Sequence, residues 1–307
     1  MTQRIFILIL ALAGFFLVSA SAHAGYEPDP VGYVQEIAGD VVAINTTNKV
    51  KRWNHQEECR ALGIRGAVFA GDTLVTGYGA KVQIMFLDGS VLVLGAESEL
   101  LINNLVYDYD RDQDNLLDMS AGAGVFRYIS GGIVDRNPNG FQLDTPLGLI
   151  GIRGTQTLSV HGGGSNPNGE IAMQLARWFR DPENMSLEEK HAARGVLGNF
   201  LPALGNGRNN VTRETQAHVS GSDQTPVVYT HDATGGSVNI PVGTQVDVSN
   251  EGTGNPTPIT DQTRDAGAGS RQNRNAEVPT SLQSTQGGSD NSGSTSSSSG
   301  SSGSSCP

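Results

Sequence analysis

Apolar and polar positions alternate with a period of two along much of the chain between Val41 and Val160. In KVQIMFLDGSVLVLG, Val82, Ile84 and Phe86 fall on one face of an extended backbone, and Lys81 and Gln83 on the other. Asp88-Gly89 follows and SVLVL returns, which predicts two strands joined by a tight turn. LLINNLVY, NLLDMS, GVFRYIS, FQLDT, GLIGIR and TQTLSV extend the series, with turn residues recurring about every 8 to 12 positions. No helix-period segment is visible among them, so the region reads as all-β. Gly39-Asp40-Val41-Val42 and Gly71-Asp72-Thr73-Leu74 both set Gly-Asp before a strand, and SVNIPVGTQVDVSNEG has the same texture. These echoes suit a stack of short β-rungs, either β-solenoid-like or a β-sandwich.

A different period enters after residue 165. EIAMQLARWFRDPENMSLEEKHAARGVLGNFLPAL carries helical spacing. Ser186 and Glu189 fit a capping box, in which hydroxyl and carboxylate each satisfy an end N–H. Val196, Leu197, Phe200 and Leu201 line one face of the second helix, Pro182 separates it from an earlier one near Ile171 to Phe179, and Pro202 ends it. The prediction is a helical hairpin inserted in a β protein and packed on its core, with strands resuming near Pro226 to Tyr229.

The two ends differ from both regions. MTQRIFILILALAGFFLVSASAHA has Arg4, an apolar run from Ile5 to Val18 and the small-residue site Ala22-His23-Ala24, the features of a secretory signal peptide cleaved before Gly25. At the other end, 18 of the 27 residues from Ser281 to Pro307 are Ser or Gly. Such a segment buries too little apolar surface to offset its ordering entropy, so a disordered tail is expected. The expected division is 1–24 signal peptide, 25–165 β domain, 166–222 helical insertion, 223–252 returning strands and 253–307 tail.

Charge and residue type narrow the function. The net charge is −11, and loss of Arg4 with the leader makes it −12. Nucleic acid and anionic lipid are therefore poor partners. Cys59 and Cys306 are too few for a disulfide scaffold, and either a mutual bridge or two free thiols fits them. His55, His161, His191, His218 and His231 form no metal-ligand pair at short spacing. No G-x-S-x-G occurs, and nothing in the sequence points to catalysis or to a bound cofactor.

TPLGLIGIRGT, from residue 145 to 155, resembles a phosphate loop only superficially. A Walker loop needs Gly-Lys, which occurs nowhere in the chain, and a dinucleotide site needs G-x-G-x-x-G opening a helix. Thr- and Val-rich TQTLSV follows instead, which favours a strand. The stretch is expected to be a buried strand, with Gly151 placed where no side chain fits. Arg153 is expected to end the buried run by meeting a carboxylate.

LDTPLGLIGIRGTQTLSV resembles the signature of the FecR-domain family, in which a strand ending in Thr-Pro leads to an apolar strand closed by Arg-Gly-Thr. GDTLVTGYGAKVQIMFLDGSVLVLG and GVFRYISGGI resemble the family's preceding blocks, in the same order, over roughly Gly39 to Val160. The resemblance marks Thr145, Pro146, Gly151, Arg153, Gly154 and Thr155 as motif residues. It implies an extracytoplasmic β module, which in the best-known members belongs to a membrane-bound regulator that relays an iron signal to a sigma factor. No cytoplasmic N-terminal region and no later membrane helix is expected here. The chain therefore reads as a periplasmic or secreted branch of the family, with the helical insertion and the tail outside the resemblance.

Other candidates are structural on this reading. Asp108, Asp110, Asp112 and Asp114 alternate in DYDRDQDN and would supply oxygens to calcium, but the twelfth position of an EF-hand loop falls on Met119 or Ala121. A solvated hairpin tip is the expectation. Arg127 and Arg153 interrupt apolar strands and are expected to pair with carboxylates, Asp72 and Asp88 being the first candidates. Trp53 and Trp178 are expected in packing roles. Two functions remain: a non-enzymatic extracytoplasmic module that binds an envelope or secreted protein, or a cell-surface module that binds glycan or calcium.

Overall fold

A computed structural model describes residues 29–45, 51–52, 55–56, 59–162, 206–221 and 227–270, with isolated positions between 171 and 196. The strands are β1 (Gly32–Ala38), β2 (Val41–Asn45), β3 (Lys51–Arg52), β4 (His55–Gln56), β5 (Cys59–Ala61), β6 (Ala67–Val68), β7 (Asp72–Thr76), β8 (Lys81–Phe86), β9 (Val91–Leu94) and β10 (Glu99–Val106). They continue as β11 (Leu116–Ala121), β12 (Gly124–Ile129), β13 (Phe141–Asp144), β14 (Gly148–Gly151), β15 (Gln156–Gly162) and β16 (Arg213–Ser220). The series closes with β17 (Val227–His231), β18 (Ser237–Ile240), β19 (Thr244–Ser249), β20 (Gly252–Thr253) and β21 (Thr257–Pro258).

The protein is all-β, and two sheets hold nearly all of these strands. The first runs β20-β19-β16-β15-β12-β9-β8-β1-β6, with β21 also on β19; the second runs β18-β17-β14-β13-β11-β10-β7-β2-β5. The chain fills them by turns, laying β8 and β9 in the first, β10 and β11 in the second, and later β15 and β16, then β17 and β18. β11 and β13 pair in parallel, because β12 and a short helix, Gly132–Arg136, intervene and carry the chain through the first sheet.

One apolar cluster joins the sheets. Val82, Ile84, Leu92, Leu94, Phe126 and Tyr128 of the first meet Leu74, Leu100, Ile102, Leu117, Met119 and Leu143 of the second. Tyr128 stacks on Phe141 with ring centroids 4.2 Å apart. Val82, Ile84 and Phe86 face this core as their period predicts. Gln83 is buried as well, and donates to Gln35 at 2.9 Å.

Several expectations change here. β1 lies within the expected 25–165 β domain, ahead of the alternating stretch that begins at Val41. β16 occupies Arg213–Ser220, inside the segment read as helical insertion. Residues 253–270, read as tail, include β21 and the helix Asp261–Ala266, whose Thr260 cap accepts a hydrogen bond from the Thr263 N–H at 3.2 Å. The expected capping box is present: the Ser186 N–H donates to Glu189 at 2.8 Å, and the Glu189 N–H to the Ser186 hydroxyl at 3.2 Å. Leu197, Phe200, Trp53, Trp178, His191, Cys306 and the leader lie outside the described residues. Cys59 is a buried free thiol.

Within TPLGLIGIRGT, Ile150 and Ile152 are buried as expected, but the crowded glycine is not Gly151. A Cβ on Gly151 would meet only the Val228 carbonyl, at 4.0 Å. A Cβ on Gly148 would lie 2.2 Å from the Thr230 carbonyl and 2.6 Å from the Tyr229 hydroxyl. The absent side chain therefore makes room for the neighbouring strand β17 and its tyrosine. In urea denaturation, Gly148→Ala should lose about 1–3 kcal/mol or more, as overpacked sites do. Gly151→Ala should be neutral or stabilise by up to about 1 kcal/mol, through the unfolded chain.

Candidate functional site

The interior changes character toward β15 and β16. Thr157, Ser159 and His161 of β15, and Glu214, Gln216 and His218 of β16, are all buried. The pairing sets Thr157 against His218, Ser159 against Gln216 and His161 against Glu214. This is a continuous polar seam beside the apolar cluster.

Glu214 is its centre. One carboxylate oxygen accepts the Leu147 N–H at 2.8 Å. The other lies 2.9 Å from the Thr145 hydroxyl, 3.0 Å from the Tyr229 hydroxyl and 3.0 Å from the Gln216 amide nitrogen. Buried carboxylates persist only when donors replace their hydration, and these donors come from both sheets. Burial, then the neighbouring Glu214 charge, pushes the Tyr229 phenol above its ordinary range, which keeps its proton in place to donate. The Gln216 amide nitrogen also reaches His161 Nε2 at 3.2 Å, while His161 Nδ1 lies 2.6 Å from the Gly122 carbonyl. A carbonyl only accepts, so the proton sits on Nδ1 and Nε2 is the acceptor. Arg208 closes the seam from outside, pairing with Asp144 at 2.9 Å and donating to the Thr145 carbonyl at 2.9 Å.

Two further carboxylates tie turns to the core. Asp72 takes Arg60 at 2.5 Å, Asn45 at 3.0 Å and the Phe69 N–H at 2.8 Å. Asp88 accepts from the Ser90 N–H at 3.0 Å, the Ser90 hydroxyl at 2.6 Å and the Ile133 N–H at 3.2 Å. Its turn thereby clamps the start of the helix Gly132–Arg136. A Cβ on Gly131 would come within 2.3 Å of the Ser90 nitrogen, so the clamp needs glycine there. Neither carboxylate serves Arg127 or Arg153 as expected. Arg127 donates to the Gly267 carbonyl at 3.4 Å, and exposed Arg153 to the Asn139 side chain at 3.4 Å.

Residues 72–171 match the family model described as FecR protein. The chain carries a FecR domain. No curated protein matches it. Two crystal structures of a candidate anti-sigma factor from Parabacteroides distasonis ATCC 8503, at 1.65 and 2.50 Å resolution, share 12% and 10% identity with it and give TM-scores of 0.34 and 0.35. Each alignment covers 62% of this chain and 61% of that one.

The three blocks that carry the FecR resemblance thus coincide with three polar clamps. Asp72 stands in the first, Asp88 and Ser90 in the turn that the second reaches through Gly131, and Thr145 and Gly148 in the third. Of the motif residues, Thr145 lies in the seam. Pro146 leads to the Leu147 N–H that binds Glu214. Gly154 takes a positive φ of 78° in the turn before β15, and Thr155 is buried. The partners Glu214, Gln216 and Tyr229 lie downstream of the matched residues.

The aspartate cluster of the FecR domain occupies the expected hairpin tip between β10 and β11. Its carboxylates hold arginines: Arg111 pairs with Asp108 at 2.9 Å and with Asp114 at 3.8 Å, and Arg136 with Asp112 at 2.8 Å. Arg136 also stacks over Tyr109 at 3.9 Å. Among the described residues, no group of three or more His, Cys, Asp or Glu is placed to hold a metal ion, and no helix is long and apolar enough to cross a membrane.

A cavity of about 750 Å³ opens between β16, β19, β20 and the helix Asp261–Ala266. Its wall carries Arg213, Thr215, Gln245, Asp247, Ser249 and Thr260 beside Val160, Val248 and Ala266. The Thr215 hydroxyl donates to Asp247 at 2.7 Å. Among the described residues this surface offers hydroxyls, an amide and charges of both signs, without an aromatic platform.

Two expectations follow for the FecR domain. Burial, partly opposed by Glu214, lowers the pKa of His161. An unfolded histidine titrates near about 6.5, so between that value and the lower folded one the unfolded chain binds more protons. Stability should therefore fall as pH drops below about 7. His161→Asn keeps a donor for Gly122 and should flatten the slope in urea melts between about pH 7 and 5. Burial raises Asp88 and Asp144, which act with the opposite sign and at lower pH, so the comparison with the variant isolates His161. At the hairpin tip, joint replacement of Asp110 and Asp112 by Asn should move Tm by no more than about 2 °C, as for surface sites. Calcium should not change that; a calcium-induced rise in the parent, lost in the variant, would mark a metal site.

Proposed function

We propose that the chain is a non-enzymatic, extracytoplasmic FecR-type module that binds a protein partner in a signalling or envelope assembly. The observation that carries this reading is the family match over residues 72–171, which spans β7 to β15 and contributes central strands of both sheets. The buried carboxylates there are engaged in joining turns and sheets. The leader, with its apolar run and Ala22-His23-Ala24, supports export. The alternation of strand pairs between two sheets supports an architecture of stacked rungs, intermediate between a sandwich and a short solenoid.

A second reading, a cell-surface glycan-binding module, is favoured by the hydroxyl-lined cavity beside the helix Asp261–Ala266. Affinity capture from envelope extract, using an unrelated exported β protein as the control, separates the two. A specifically enriched envelope protein is the expected result. Enrichment of none, together with saccharide-dependent protection of Thr215 and Asp247 amides from exchange, would replace the first reading with the second. Intact mass of the recovered chain should show a start at Gly25; recovery only in membranes with the leader retained would sink the export reading.

A further inference from the structure

The end of the first sheet is closed. β20 and β21 lie on the outer edge of β19, Pro256 and Pro258 interrupt that edge, and the helix Asp261–Ala266 follows. Among the described residues the corresponding end of the second sheet is open: β18 is its terminal strand. β18 has the sequence SVNI and carries no charge, proline or bulge, the devices that usually protect an edge.

Its free hydrogen-bonding groups follow from the pairing. The His231 N–H donates to the Gly236 carbonyl at 2.9 Å, and the register continues Thr230–Ser237, Tyr229–Val238, Val228–Asn239 and Val227–Ile240. Hydrogen-bonded pairs alternate with non-bonded ones in an antiparallel ladder. Tyr229–Val238 and Val227–Ile240 are then the bonded pairs. The N–H and C=O of Ser237 and Asn239 point away from β17. Both residues are exposed, whereas Ile240 is buried and its carbonyl accepts His218 of the first sheet at 2.9 Å. The edge is accessible and held in position by the core.

We infer that β18 pairs with β18 of a second copy, antiparallel about a twofold axis near Val238. Ser237 of each strand then faces Asn239 of the other, and the same four backbone groups are satisfied on both sides, as an isologous contact requires. Charge favours this edge over the others. Two copies of a −11 chain repel, and approach is easiest where the strand and its cross-strand neighbours Val228 and Thr230 are uncharged. At the other edges, β5 and β6 are only three and two residues long, and exposed Arg65 lies just before β6. A foreign strand would need side-chain pockets to select it, and the exposed Ser237 and Asn239 form none. Self-pairing needs only an identical register.

The test is sedimentation velocity of the exported chain over a wide concentration range, with amide exchange in parallel. A reversible dimer is expected, with protection of the Ser237 and Asn239 amides that grows with concentration. Asn239→Pro removes an outward donor without touching the bonds to β17, and Asn239→Lys adds the charge that guarded edges carry. Each should weaken association at least about tenfold, the factor produced by about 1.4 kcal/mol. Asn239→Lys leaves the backbone intact and serves as the decisive variant if the proline perturbs folding. A parent that stays monomeric at every concentration overturns the inference, as does a dimer whose association neither variant weakens.

Discussion

A carboxylate inside a protein must keep the hydrogen bonds it had in water, and Glu214 imposes this requirement on both sheets at once. Its donors come from the β13–β14 turn, from β17 and from β16 itself. Removing one partner from such a cluster leaves a buried polar group unsatisfied, at a cost of about 1–3 kcal/mol or more. Apolar contact alone would let the sheets slide over one another. The bonds to Thr145, Leu147 and Tyr229 admit one registration, and His218 to Ile240 and His231 to Ser249, at 2.9 Å each, repeat the link further along.

The same device recurs on a smaller scale at the turns. Asp88 satisfies the N–H of Ser90 and that of Ile133, so one side chain shapes a hairpin and positions a helix 45 residues later. Asp72 gathers Arg60, Asn45 and the Phe69 N–H in the same way. Short polar motifs thus mark places where a two-sheet stack changes direction. Backbone groups at such corners lose their ladder partners and need others.

The legible parts of the sequence were those whose inward residues are apolar. β8, β10 and β12 announce themselves by alternation and β9 by a continuous apolar run, and Asp88-Gly89 fixes the hairpin between β8 and β9. β16 was hidden because its inward positions are Glu214, Gln216 and His218, so its polarity is inverted relative to an ordinary amphipathic strand. For the same reason the centre of the seam was not found, although buried Tyr229 and the Thr-Pro motif lay in plain view. The crowding at Gly148 was assigned to Gly151 because only the partner strand, which sets His231 opposite Gly148, distinguishes the two. Arg153 was expected to pair with a carboxylate, but the end of β14 turns it to solvent beside Asn139.

The connection between β15 and β16 has a different consequence. Gly162 and Arg213 face each other across the ladder, so the two ends of the roughly fifty-residue connection lie at neighbouring points. For a connection anchored in this way, closure entropy rises only with the logarithm of length, about 0.6 kcal/mol per doubling. Changes of length between Gly162 and Arg208 therefore cost the scaffold little, provided Arg208 keeps its bonds to Asp144 and the Thr145 carbonyl. The position is a natural grafting port: chains with this scaffold can diverge there in size and cargo while the strands on either side stay the same.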